Sequence, residues 1–254
     1  MSGVEVSAFT VGPIQENTYV VRAEGAKRAV IVDPGEEAER LLGAVDALGV
    51  ELEAILVTHC HFDHIGAVAP LARATGAPVY CPEIERPMLA DVMSWVLPGF
   101  GPFESHEAEQ TVAGGERLTI AGMDIEVVFT PGHSPGHVTY AIGVGEAGAD
   151  GKEEAAGGVT PDANAGTALL SGDVLFRGSV GRVDLPGGDW ATLERSIGVL
   201  LDRFEPETVV YPGHMGVTTL GAELQTNPFL EELRAEDGRR AKVHPAAVPG
   251  PGGS

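Results

Sequence analysis

Residues 58 to 64 read Thr58-His59-Cys60-His61-Phe62-Asp63-His64, directly after an apolar, β-like run of Ala54, Ile55, Leu56 and Val57. Imidazoles and a carboxylate crowded at a strand end form the donor set of a divalent metal site. In an extended segment residues two apart share a face, so His59, His61 and Asp63 point to one side and Cys60 and Phe62 to the other. His64 breaks that parity. For it to reach the same pocket the chain must turn, and Ile65, Gly66, Ala67, Val68, Leu71 and Ala72 read as the opening of a helix. One short segment then feeds two neighbouring metals, with Asp63 and His64 serving the second. The competing account is a solvated His-rich loop, or core histidines satisfied by hydrogen bonds. It weakens as further His and Asp residues recur downstream.

Three later sites repeat one grammar, an apolar strand ending in a Gly-flanked polar residue. The stretch from Ile125 to His137 carries His133 and His137, Ala168 to Asp173 delivers Asp173, and Thr208 to His214 delivers His214. Glycine beside a ligand lets the backbone turn sharply and approach an ion. Each alone is common turn chemistry. Together they make a site. Asp33, in Val32-Asp33-Pro34-Gly35, either orients a ligand from behind or simply ends its strand.

These motifs, THCHFDH, TPGHSPGH, SGD and YPGH, in this order and at these intervals, resemble the metallo-β-lactamase superfamily over roughly residues 4 to 230. The resemblance implies an α/β fold, a four-layer αββα sandwich, and two divalent metal ions, zinc with iron or manganese as alternatives. It implies that His59, His61 and His133 hold one metal, that Asp63, His64 and His214 hold the other, and that Asp173 bridges them. Asp63 and Asp173 would also carry catalytic roles. His137 matches no ligand position and reads as a residue supporting the ligands. Two metals sharing a hydroxide would attack a carbonyl, and a thiolate leaving group suits such a site.

Within the superfamily, residues 172 to 189 and Thr226-Asn227-Pro228-Phe229 resemble glyoxalase II and its shorter relatives, which implies hydrolysis of a small-molecule thioester. Arg182 falls where glyoxalase II places a basic residue that contacts its thiol carrier; it either pairs with a substrate carboxylate, with Arg177 nearby, or bridges two loops at the surface. The residues after His214 are few and rich in Gly and Pro, so the helical domain that completes the glutathione site in glyoxalase II is not expected. Met215 and Gly216 stand where that family has Tyr after the last ligand His. An alternative on the same scaffold is a persulfide dioxygenase holding one iron through His59, His133 and Asp173. Its usual Gly-Cys after TPGH is replaced by Gly136 and His137 in the corresponding stretch. A true β-lactamase would be expected to carry Cys in place of Asp173.

With 254 residues and 43% hydrophobic content, one sizeable core in a single domain over 1–236 is expected. A formal net charge of −21 repels phosphate backbones and anionic membranes, so neither nucleic-acid nor membrane partners are expected, and it weighs against the nuclease branches of the superfamily. The N-terminus lacks a basic start and a long apolar run, so a cytoplasmic protein is expected. Cys60 and Cys81 are the only cysteines, too few for a disulfide framework, and Cys60 reads as a packed thiol.

The coarse pattern alternates strands and helices. Val4 to Thr10, Thr18 to Arg22 and Ala29 to Val32 read as an antiparallel meander. Helices are expected at Glu36 to Leu48, Ala67 to Ala74, Glu83 to Val96, Trp190 to Asp202 and Gln225 to Ala235. Leu118 to Ile120 and Ile125 to Phe129 read as a hairpin. Residues 144 to 167, rich in Gly and Ala, read as a mobile insertion lengthening a second hairpin, with a lid as the alternative. Residues 237 to 254 read as a frayed tail.

Overall fold

A computed structural model describes residues 3–144 and 166–235. The chain forms a four-layer αββα sandwich of two six-stranded sheets with helices outside. The first sheet runs in chain order through β1 (Val4–Val11), β2 (Glu16–Ala23), β3 (Arg28–Val32), β4 (Glu51–Leu56), β5 (Val79–Pro82) and β6 (Gln110–Val112). Its first three strands are the expected antiparallel meander, and β3 to β6 are parallel.

The second sheet is built from β7 (Arg117–Ile120), β8 (Met123–Phe129), β9 (Val138–Gly143), β10 (Ala168–Gly172), then β13 (Val209–Pro212) and β14 (Thr218–Thr219); β11 (Leu175–Phe176) and β12 (Ser179–Val180) form a small separate ribbon. The β7–β8 hairpin turns on Ala121 and Gly122, both at positive φ, as a two-residue loop requires. Strands β10 and β13 are parallel neighbours, with Gly172 beside Pro212.

Strand parity divides the core. In the first sheet Val20, Ile31 and Ile55 face the helices, packing with Leu41 and Val45 of α1 (Ala38–Leu48) and Leu71 of α3 (Val68–Thr75). Val21, Val30, Val32 and Leu56 face inward against Ile125, Val127, Tyr140, Ile142 and Leu170 of the second sheet. On the far face Val128, Ala141 and Leu169 bury Leu193, Ile197 and Leu200 of α5 (Trp190–Arg203). This is the period-two alternation of strands covered on both faces.

Several expectations need correction. The extended run ends at His61, and a short helix, α2 (Phe62–Ile65), already contains Asp63 and His64. Asp63 therefore leaves the face of His59 and His61 through a helical turn, not strand parity. Glu83 to Val96 is not one helix: a 3₁₀ turn at Glu83–Glu85 precedes α4 (Arg86–Ala90), where Pro87 suits only the first turn, and Asp91 breaks out before a second 3₁₀ turn at Val92–Ser94. The helix expected over Gln225 to Ala235 is interrupted: α6 (Leu220–Thr226) stops, and Asn227 caps a new turn at Pro228–Leu230. Edge strand β6 was not foreseen.

Ile142 faces Ala168 across antiparallel β9 and β10, so the expected hairpin flanks do pair. The segment between them and the 237–254 tail lie outside the described residues, apart from 144, 166 and 167. No helix among the described residues is long and apolar enough to cross a membrane.

Candidate metal centre

Strand ends from both sheets meet along one edge. After β4, Val57 to His61 lead through a bend at Thr58 into α2; after β8 comes Thr130 to His133; after β10, Asp173; after β13, His214. Hydrogen bonds between the sheets lock this edge: Val138 N donates to Thr58 O (2.9 Å), Tyr140 Oη to Val57 O (3.0 Å) and Asn17 N to Gly213 O (2.7 Å). Asn17 Nδ2 also donates to Met215 O (2.9 Å), and Tyr19 Oη to Pro212 O (2.7 Å), so β2 of the first sheet clasps the loop that presents His214.

Two donor sets converge there, His59 with His61 and His133, and Asp63 with His64 and His214. Asp173 lies between them: Oδ1 is 3.4 Å from His64 Nε2, and Oδ2 is 3.4 Å from His133 Nε2 and 3.6 Å from His214 Nε2. Asp63 Oδ2 stands 3.3 Å from His214 Nε2. Glycine is needed twice for this closeness. A Cβ on Gly213 would collide with Asp173 Oδ1 and His64 Cε1, and one on Gly172, at φ +46, with Thr58 Oγ1 and His137 Nε2.

The partners of each imidazole assign its tautomer. His133 Nδ1 donates to Arg182 O (2.7 Å), His64 Nδ1 to Asp33 Oδ2 (3.0 Å) and His214 Nδ1 to Gln15 O (3.3 Å). Thr58 Oγ1 spends its proton on Asp33 Oδ2 (2.6 Å), so it accepts from His59 Nδ1 (3.1 Å). With Nδ1 as the donor, Nε2 is the nitrogen that each ring turns inward, and it offers a lone pair whenever the ring is neutral. His59 Nε2 and His133 Nε2 both face His61 Nδ1, at 3.1 and 2.8 Å, and one proton cannot serve both contacts. His64 Nε2 and Asp173 Oδ1 are buried without any hydrogen-bond partner. Converging lone pairs and orphaned acceptors fit cations, and this donor set suits divalent metals.

His137 stands apart from the two donor sets, with both ring nitrogens in hydrogen bonds of their own. Its Nε2 accepts from Asp173 N (3.1 Å), and Nδ1 meets Thr130 Oγ1 (3.0 Å). It is thereby bonded to the backbone of Asp173. Asp33 stands at the end of its strand with both oxygens engaged: Oδ1 accepts from Thr58 N (2.7 Å) while Oδ2 takes Thr58 Oγ1 and His64 Nδ1. Cys60 is buried with its Sγ 3.5 Å from Cys81 Sγ, away from the site.

Burial dominates the electrostatics. It pushes His59 well below the usual imidazole range, helped by the neighbouring His64, and brings His61 down to about 4 with His133 beside it. His64 goes the other way: burial opposes its charge, but Asp173 and Asp63 raise it well above normal. Asp173 is held far below the carboxylate range because His64, His133 and His214 outweigh its burial.

The two arginines read as substrate contacts lie outside this cluster. Arg182 is exposed and engages Asp184 through Nε (2.6 Å) and Nη2 (2.7 Å). Its backbone carbonyl, by contrast, anchors His133. Arg177 is exposed and lies beside the loop after His214, within 3.6 Å of where a Cβ on Gly216 would sit. Two buried carboxylates were missed. Glu16, raised well above normal by burial, places Oε1 3.8 Å from His64 Nδ1. Glu85 accepts from Cys60 N, Ser134 Oγ and Gly136 N.

A family profile described as the metallo-beta-lactamase superfamily matches residues 11–149. The chain is 36% identical to a "Probable metallo-hydrolase YqgX" of Bacillus subtilis, over 87% of this chain and 94% of that one. It is 30% identical to "Hydroxyacylglutathione hydrolase GloC" of Haemophilus influenzae, over 89% and 98% respectively. Among solved structures it is similar to the BLEG-1 B3 metallo-beta-lactamase (TM-score 0.75, 36% identity, covering 89% of this chain and all of that one). It is also similar to TTHA1623 in a di-iron-bound form (TM-score 0.65, 40% identity, with the same coverage).

Proposed function

Because the chain belongs to the metallo-β-lactamase superfamily, we propose that it is a metal-dependent hydrolase that cleaves thioesters of small molecules. His59, His61 and His133 would hold one divalent metal and Asp63, His64 and His214 the other, with Asp173 between them. The observation that carries this reading is the position of Asp173, whose two oxygens each lie 3.4 Å from an imidazole of a different donor set. Two divalent metals, when bound, supply an activated water and an electrophile for a carbonyl oxygen.

The residues themselves orient and insulate. Asp33, Gln15 and the carbonyl of Arg182 each fix one imidazole so that Nε2 faces inward. Every nitrogen of His59, His64, His133, His137 and His214 is thereby committed to a hydrogen bond or to the converging set. None of these five is free to protonate a departing group; His61 reaches the set through Nδ1, with its Nε2 outside those contacts. A thiolate leaves without a proton, since thiols ionise near a pKa of about 8.5, whereas an amine does not. Thioesters therefore suit the site better than amides, and the likeness to a hydroxyacylglutathione hydrolase supports the same substrate class.

A mononuclear iron persulfide dioxygenase would use only His59, His133 and Asp173. That leaves the orphaned Nε2 of His64 and the contact of Asp63 with His214 without a task. Elemental analysis after purification without chelators, combined with turnover of S-lactoylglutathione and of simple thioesters, tests the proposal. About two metals per chain and thioester hydrolysis are expected. One tightly held iron with O₂ uptake on a persulfide would overturn it.

A further inference from the structure

We propose that Glu85 is a positioning residue for one of the two metal sites, a buried carboxylate that sets the spacing of His59, His61 and His133. It sits in the 3₁₀ turn between β5 and α4 and is 1% exposed. Its Oε2 accepts from Cys60 N (3.0 Å), and its Oε1 accepts from Ser134 Oγ (2.6 Å) and Gly136 N (2.9 Å).

Those partners lie in two loops that share one donor set. Cys60 is flanked by His59 and His61, while Ser134 follows His133 and Gly136 precedes His137. The trio is thus split between two chain segments more than seventy residues apart, and the same carboxylate is bonded to both. The approach is also close sterically: a Cβ on Gly136 would stand 2.6 Å from Glu85 Cγ. A carboxylate this deeply buried is tolerable only while donors surround it, and its partners here are two backbone N–H groups and a hydroxyl, none of them charged. Moving either loop would strip it of donors, so the loops hold their separation and the three imidazoles with them.

The other donor set escapes this brace. Asp63 and His64 ride on α2 and His214 follows β13, and none of the three hydrogen bonds of Glu85 reaches those residues. Loss of the brace should therefore be felt at one metal and not at the other. Glu85→Gln keeps the shape but replaces one acceptor oxygen by an NH₂ that must face an N–H donor.

The inference rests on the ligand sets proposed above, and its test reads metal binding, not turnover. Zn²⁺ is titrated into chelator-treated full-length protein against a chromophoric competitor, resolving two stepwise affinities. In Glu85→Gln one step should weaken at least about tenfold and the other by less than about threefold, as loss of support behind metal ligands does. The weakened step should be the one abolished by His133→Ala and kept in His214→Ala. Two steps equal to wild type, or both weakened together, would overturn the role. Should Glu85→Gln fail to fold by circular dichroism, Ser134→Ala removes one of the three donors and should weaken the same step alone; no such selectivity would overturn the role equally. Fewer than two zinc ions on the wild type would sink the ligand sets along with it, whereas two bound zinc ions without thioesterase activity would sink only the proposed reaction.

Discussion

Asp33 Oδ2 lies 3.0 Å from His64 Nδ1, and Thr58 donates to both oxygens of the same carboxylate. Asp33 thus ties together the tautomers of two imidazoles, directly for His64 and through Thr58 Oγ1 for His59, which belong to different donor sets. It does so from a left-handed backbone conformation, φ 47, that Asp tolerates better than most residues. Asp33→Asn should keep the fold but lower affinity for both metals by about ten- to a hundredfold, because an amide cannot accept from all three donors. Competitive zinc titration checks this, and unchanged affinities would show that the carboxylate only ends its strand.

Asp173 and His137 should behave as opposites although they are neighbours. Asp173→Ala removes the group standing between both donor sets and should lose metal and nearly all turnover. His137→Ala removes a hydrogen bond to the Asp173 backbone, worth about 0.5–1.5 kcal/mol, and should retain both metals with a moderate fall in kcat. Metal analysis of the two variants separates ligand from support; metal loss from His137→Ala equal to that from Asp173→Ala would contradict the tautomer assignment.

The contrast between these residues and Glu85 marks what the sequence can disclose. His59, His61, Asp63, His64, His133, Asp173 and His214 are legible because each motif is local and their chemistry is unusual. The two-sheet fold follows from the same strand ends and from apolar runs long enough to be covered on both faces. Glu85 is illegible because its partners lie 25, 49 and 51 residues away and nothing around Ile84-Glu85-Arg86 distinguishes it from a solvated acid. Strand β6 has three residues, too few for a periodic signal, and the broken helix over 83–94 shows Pro87 and Asp91 overriding an apolar pattern that read as continuous. The resemblance points to Arg182 but carries no sign of Asp184, whose carboxylate holds the guanidinium.

Metal-free protein should lose stability on mild acidification. Burial depresses His59, His61 and His137 in the folded state, His61 to about 4, whereas in the unfolded chain they protonate near about 6.5. Between those values the unfolded chain binds more protons at these three groups, so stability falls as pH falls through the window. Glu16, raised by burial, opposes the trend with a single group. His64 and His214, raised in the folded state, are protonated in both states there and contribute above the window, where stability declines as pH rises. Urea midpoints of chelator-treated protein should drop between pH 6.5 and pH 5; a flat or rising midpoint would mean the three histidines are not buried in neutral form.

Replacing residues 145–165 with a short Gly-containing turn should leave the second sheet intact, because Ile142 and Ala168 already face each other across antiparallel β9 and β10. Metal content and turnover should stay near wild type. A large fall in turnover at unchanged metal content would identify the segment as a lid.

Substrate charge is the remaining lever on selectivity. Arg182 is proposed to meet a substrate carboxylate, yet in the free protein its guanidinium is already held by Asp184 at the exposed surface. An exposed pair of this kind holds weakly, because solvent screens it and two side chains must be fixed in one geometry, so a bound carboxylate can displace Asp184. Asp184→Asn should then raise kcat/KM for carboxylate-bearing thioesters by up to about fivefold, the equivalent of removing that competition, and leave neutral thioesters unchanged. Arg182→Ala should lower kcat/KM about ten- to a hundredfold on the anionic substrates alone, and since the His133 anchor is the backbone carbonyl of residue 182, metal content should hold. Equal losses on charged and neutral substrates would make Arg182 a surface residue that bridges loops, and would move recognition of the thiol carrier elsewhere on the rim.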